Sequence, residues 1–197
     1  MIKAPIVPAA TIRKFEVNQH CADSLPGDLV LVRHHGAMPT IIRTGQRARY
    51  FFMRNILRKK DHLAIYCKYN HAMTIVAGGH NATASQMEAK GGRIVGLISY
   101  VSLEYVVVST TNTDDTQRIA ASRFGQWCEG IQYAWFSIFG CALNVFMPFV
   151  ALGLANGERM ICSTAASLAQ RCLGLIPDKC DVSVMPADLA RYFDVRI

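Results

Sequence analysis

Between Asp28 and Ser109 the chain repeatedly sets a short apolar or alternating run between turn residues, and this pattern limits the possible folds most severely. Leu29-Val30-Leu31-Val32 lies between the Leu25-Pro26-Gly27-Asp28 turn and the polar pair His34-His35. The run from Asn70 closes at Gly78-Gly79, and Ser85-Gln86-Met87-Glu88-Ala89 leads into Lys90-Gly91-Gly92. Arg93 to Ser99 and Glu104 to Ser109 are two further runs. Runs this short, bounded by glycine and proline, predict strands. Their close succession predicts an antiparallel β-meander.

Helical patterns follow the strands. Thr113-Asp114-Asp115-Thr116 supplies capping side chains for a helix through Ile119, Ala120, Arg123, Phe124 and Trp127, ending near Gly130. A second helix runs from Ser163, with Ala165, Leu168, Ala169, Cys172 and Leu175 at three- and four-residue steps, to the stop at Gly174 and Pro177. The segment from Val182 to Ala190 predicts a short extended piece and a helix with Pro186 in its first turn. The class expected is α+β: a meander or barrel-like sheet packed on the helix that begins near Cys162. At 197 residues the chain is long enough for one core, and no low-complexity linker divides it. We expect an N-terminal arm over 1–25 and a single domain over 26–197.

Two stretches interrupt this plan. From Arg33 to Lys60 there are eight lysines and arginines and no acid, interleaved with Tyr50, Phe51, Phe52, Met53, Ile56 and Leu57. A helix over 47–59 would segregate the aromatic and aliphatic residues from the arginines, which suits either a solvated helix on the core or an anionic surface. Between Glu129 and Glu158 no residue carries a formal charge, a run long enough to raise a bilayer span. Gln132, Gly140, Asn144 and Pro148 split it, so 134–157 is expected as a buried or membrane-touching insertion.

The formal charge of +7 calls for an anionic partner: nucleic acid, a membrane surface or an acidic wall polymer. Zinc-finger spacing, a helix-turn-helix pattern and an aromatic RNA-binding signature are all missing, which disfavours nucleic acid. The first residues lack the basic head, apolar core and small-residue cleavage site of a signal peptide, so synthesis in the cytoplasm is the expectation. Seven cysteines without a CxxC pair argue against a disulfide framework and against structural zinc.

The candidate chemistry centres on Glu158-Arg159-Met160-Ile161-Cys162-Ser163-Thr164. A thiol at a helix N-terminus meets the positive end of the helix dipole and unpaired amides, which favour thiolate and can hold an oxyanion. The competing reading is a buried cysteine serving as a small hydrophobe. Partners decide between the two. His71 stands at the mouth of a predicted strand, where it can face a cleft or be a satisfied structural histidine. Glu88 is on the next strand. A cysteine hydrolase needs a thiolate, an imidazole that exchanges its proton and a polar group that orients the ring. Cys162, His71 and Glu88 can fill those roles, with Glu104 as substitute for the third.

The order of these residues resembles the circularly permuted branch of the NlpC/P60 papain-like superfamily of cysteine peptidases and amidases. Pro26-Gly27-Asp28-Leu29, Asn70-His71-Ala72, Met87-Glu88-Ala89, Gly130-Ile131-Gln132-Tyr133, Ile161-Cys162-Ser163 and Met185-Pro186-Ala187-Asp188-Leu189 carry the resemblance. It implies a papain-like fold with Cys162 as nucleophile, His71 as general base and then acid, and Glu88 as orienting member. The amides of Cys162 and Ser163 would form the oxyanion hole, and Tyr133 would line the cleft. The implied reaction is hydrolysis of an amide, typically in peptidoglycan, through an acyl-enzyme, with no metal or organic cofactor. Delivery by a phage particle or a secretion system would carry such an enzyme to a wall. A lipid-directed acyltransferase or hydrolase of the same fold is the alternative enzyme. A non-catalytic component that docks to a membrane or virion protein is the alternative of another kind. The insertions over 33–60 and 134–157 depart from the family pattern and leave the substrate open.

Overall fold

The structure, a computed structural model, describes residues 10–56, 63–134, 159–176 and 184–196. Its centre is a six-stranded sheet of β1 (Ala10–Phe15), β2 (Leu29–Arg33), β3 (His71–Ala77), β4 (Thr83–Glu88), β5 (Gly91–Gly96) and β6 (Glu104–Thr110) in the order β1-β6-β2-β3-β4-β5. All five pairings are antiparallel. The expected meander is present as β2 to β5, after which β6 crosses back to pair with β2. The sheet remains open, with β1 and β5 as its edges, so the barrel-like closure expected of it does not occur. The chain is α+β, and its residues 10–15 contribute an edge strand that the reading of 1–25 as an arm did not foresee.

Both faces of the sheet are covered, which explains why β2 is apolar at four successive positions instead of alternating. One face carries Leu29, Leu31, Ala72, Val106 and Val108 against Ala121 of α2 (Asp115–Trp127) and Ala166 of α3 (Cys162–Cys172). The other carries Val30, Val32, Met73, Ile75 and Val107 against Leu97, Tyr100 and Tyr105. Helix α2 starts as its sequence predicts. The Asp114 side chain accepts from the Gln117 amide and the Gln117 side chain accepts from the Asp114 amide, a complete capping box.

Helix α1 spans Ala37–Ile56, ten residues earlier in its start than the predicted 47–59. Pro39 falls in its first turn, where a missing amide hydrogen costs nothing. The expected division into an aromatic face and an arginine face over 47–59 can be followed only as far as Phe51 among the described side chains, and over those residues the two kinds mix. Tyr50 is buried and its hydroxyl donates to Asp188 Oδ1 at 2.9 Å, but Phe51 is exposed. Arg49 turns inward to Asp188 at 3.5 Å. Buried Gln46 completes the docking, accepting from the Ala187 amide at 2.8 Å and donating to the Tyr69 carbonyl at 3.3 Å. These contacts join α1 to α4 (Pro186–Tyr192), which has Pro186 at its start as predicted.

Two short strands, β7 (Gln132–Tyr133) and β8 (Arg159–Met160), pair in parallel and bring Tyr133 beside the entry to α3. Gly92 of β5 admits the backbone behind α2. A β-carbon there would stand 1.9 Å from the Cys128 carbonyl oxygen. The apolar insertion expected over 134–157 lies, apart from Ala134, outside the described residues. Among the described residues no helix is long and apolar enough to cross a membrane.

Candidate active site

Cys162 is the first residue of α3, and Ile161 at the cap provides no side-chain hydrogen bond to the free amides of the first turn. Its thiol is buried beside Met87, Cys128 and Met160, and it meets the backbone of Ala72 and Ser163 as well as its own amide. Burial pushes the thiol's pKa up, and these backbone contacts and the Ser163 side chain only partly oppose it. The thiolate expected from the helix end is therefore not the resting form. Desolvation outweighs the dipole. In the free protein iodoacetamide will label the half-buried Cys172 ahead of Cys162, and Cys162 will accelerate only above the usual thiol range. Peptide mass mapping across pH reads both rates. The reverse order would mean that the thiol is open and ionised.

His71 opens β3. Its Nε2 lies 3.1 Å from Gln86 Oε1, which also accepts from the Tyr100 hydroxyl. That carbonyl oxygen has only lone pairs to offer, so the imidazole carries its hydrogen on Nε2 and keeps a lone pair on Nδ1. The His34 ring stands edge-on to it at 5.2 Å. Asn70 fixes His34 through its backbone, accepting from its amide and donating to its carbonyl, each at 3.0 Å. Burial, and then the His34 charge, lower the His71 pKa to about 4 against the pull of Gln86. Neutral imidazole is the resting form, and a neutral amide orients it.

The side chain bonded to His71 is Gln86, two residues before Glu88. Alternation places both on the His71 face of β4, and Glu88 lines the same cavity, but its carboxylate is 2.5 Å from Arg93. Glu104, the substitute, is held by Arg33 and Lys68, each at 3.0 Å. Gln86 lies in the same strand run as Glu88, and formal charge singled out Glu88. Tyr100, His34 and Asn70 were also missed, since nothing in their spacing announces that they converge on His71.

The thiol and the ring approach the end of the sheet from different sides. Ala72 and Met87 share the face on which Cys162 packs, while His71, Gln86 and Tyr100 belong to the opposite face. Among the described residues no hydrogen bond joins thiol to imidazole. Each lines its own cavity, and the two cavities have Ile42, Asn70 and Tyr133 in common. One contains Cys162 and Ser163, the other His71 and Glu88. Tyr133 lines both cavities. Ser163 is pinned, its hydroxyl donating to the Val184 carbonyl, which leaves its amide as the group available to an oxyanion. The described residues contain no group of three His, Cys, Asp or Glu that could hold a metal. The chain matches no family model and no curated protein sequence.

Proposed function

We propose that the protein is a thiol hydrolase that attacks the carbonyl of an amide or related acyl bond, with Cys162 as nucleophile and His71 as proton carrier. One observation carries this reading: the Cys162 thiol, in the first turn of α3, lies against the backbone of Ala72, the residue that follows His71. A substrate that spans the two neighbouring cavities would present its carbonyl to both groups. Among the described residues the two groups are not bonded, so proton exchange requires that substrate binding bring Nδ1 to the thiol.

Nδ1 then takes the thiol proton as sulfur bonds to the carbonyl carbon, and the amides of Cys162 and Ser163 receive the oxyanion. Collapse breaks the bond to the leaving nitrogen, which departs with the imidazolium proton and leaves a thioester. Water attacks the thioester, giving its proton to the ring. The acid is released, and the thiol regains its proton. Gln86 replaces Glu88 as the orienting member, since it is the group bonded to His71.

The order of residues resembles that of the permuted NlpC/P60 papain-like family, and the charge of +7 supports an anionic wall peptide as substrate. The test is intact-mass detection of an acyl-enzyme, with product analysis, on muropeptides and on N-acyl amides. The adduct should sit on Cys162 and vanish in Cys162→Ala, while His71→Ala lowers turnover by about 10²–10⁴-fold. Equal turnover by Cys162→Ala overturns the proposal. That result would favour a docking component, a reading supported by the buried, protonated thiol and the exposed Ile41 and Phe51 of α1.

A further inference from the structure

His34 directly follows β2, and its ring stands edge-on to two others, to His71 at 5.2 Å and to Tyr100 at 5.7 Å between centroids. Asn70, the buried residue before His71, holds both the amide and the carbonyl of His34. One side-chain amide thus ties the two histidines to a fixed spacing. A ring needed only to fill that space could be phenylalanine. His34 differs from such a filler in being titratable and within reach of water. His71 is buried, whereas His34 is half-buried, and both line a cavity of about 410 Å³.

Among the described residues, few titratable groups face His34. β3 supplies His71, β4 supplies Glu88, the turn Leu97–Tyr100 supplies the Tyr100 ring, and its own segment supplies His35. Lys90 and Arg93 line the same cavity, with Arg93 paired to Glu88, and α1 adds only Met38, Pro39 and Ile42 to the lining. Burial lowers the His34 pKa, Glu88 opposes this and His35 adds to it. Two imidazoles this close do not both accept a proton readily, and the more open ring accepts first. Catalysis asks for the reverse order, since His71 must become imidazolium between attack and collapse.

We propose that His34 is a positioning residue that gates His71 by sharing one proton with it. Neutral His34 leaves His71 able to take the thiol proton, and a solvent proton on His34 opposes that transfer. In acid the outer histidine therefore silences the site before His71 itself is occupied. The effect on turnover rests on the hydrolase reading of Cys162, but the shared proton does not.

Histidine-selective NMR titration reads the shared proton without any chemistry at Cys162. His34→Phe keeps a flat ring and loses the charge, and His34→Gln keeps a polar side chain, each checked for folding by circular dichroism. In both variants His71 should take its proton at higher pH than in wild type. By reciprocity His34 should do so in His71→Gln. The kinetic arm follows acetyl transfer from p-nitrophenyl acetate to Cys162, with release of nitrophenol, by intact mass. The rate of His34→Phe relative to wild type should rise about threefold or more from about pH 7.5 to about pH 5. A merely structural ring would change that ratio equally at every pH. An unchanged His71 midpoint in both variants overturns the proposal, as does a flat rate ratio. If the midpoints move as expected while Cys162 is never acetylated, the shared proton stands and the hydrolase reading falls. If Cys162 is acetylated with the same pH profile in wild type and His34→Phe, the hydrolase reading stands and the gate falls.

Discussion

Asp28→Ala lowers the stability of the folded chain by about 3–5 kcal/mol, the cost of leaving part-buried arginines, a backbone amide and a hydroxyl without the carboxylate they share. The Asp28 side chain is almost fully enclosed. Its Oδ2 accepts from the Leu25 amide at 2.9 Å and from the Ser109 hydroxyl at 2.6 Å, and its Oδ1 lies 3.2 Å from Arg118. Arg13 approaches at 3.5 Å from β1. One carboxylate thereby joins the Pro-Gly turn, β6, α2 and the edge strand. Burial raises its pKa, and the surrounding donors hold it down. Guanidinium unfolding of wild type, Asp28→Ala and Asp28→Asn checks this, with Asn intermediate because it keeps shape and loses charge. A loss below about 1 kcal/mol for Asp28→Ala would show that the cluster behaves as an exposed ion pair.

The second large effect is acid sensitivity contributed by His71. Its folded pKa is lowered to about 4 from an ordinary value near 6.5. Between those values the unfolded chain binds a proton that the folded chain refuses, so stability rises with pH across the window and is lost as pH falls through it. The whole contribution is about 3 kcal/mol, present above about pH 6.5 and gone near pH 4. His34 packs against His71, has its own pKa lowered by burial and is acted on by Glu88, so it adds to the same slope. The informative quantity is therefore a difference. Unfolding free energies of wild type and His71→Gln should diverge from about pH 7 to about pH 4, the variant losing less. Parallel curves would mean that the imidazole takes up its proton at the same pH in the folded chain as in the unfolded one.

Much of the sheet was legible because its signals are local. The apolar run of β2, the Gly78-Gly79 turn after β3 and the Lys90-Gly91-Gly92 turn after β4 each act within a few residues, and all mark real boundaries within a residue or two. The edge strand β1 was not legible. Its Arg13 and Lys14 have no strand signature, and the pairing that orders them, with Val107 and Val106, comes from residues nearly a hundred positions away. Helix α1 was recognised only in its second half, since Pro39 in the first turn and Gly45 in the middle both read as interruptions. Cys162 at a helix start and His71 at a strand mouth were placed by local signals that the sequence carries. Gln86 was not, because which of two polar residues on one strand face reaches His71 depends on cross-strand geometry. The thiol's protonation was also misread. A helix dipole can be counted from sequence, but the desolvation that opposes it depends on how closely Met87, Cys128 and Met160 pack.

The edge strand also governs how copies of the chain meet one another. With β1 in place, β6 is an interior strand, and the outermost row of backbone donors and acceptors belongs to a six-residue segment bearing exposed Lys14. Without residues 10–15, Val106, Val107 and Val108 would stand on an open edge, a template on which a second sheet could extend. On this side of the sheet a short basic strand is a poorer template for a further strand than valine-rich β6 would be.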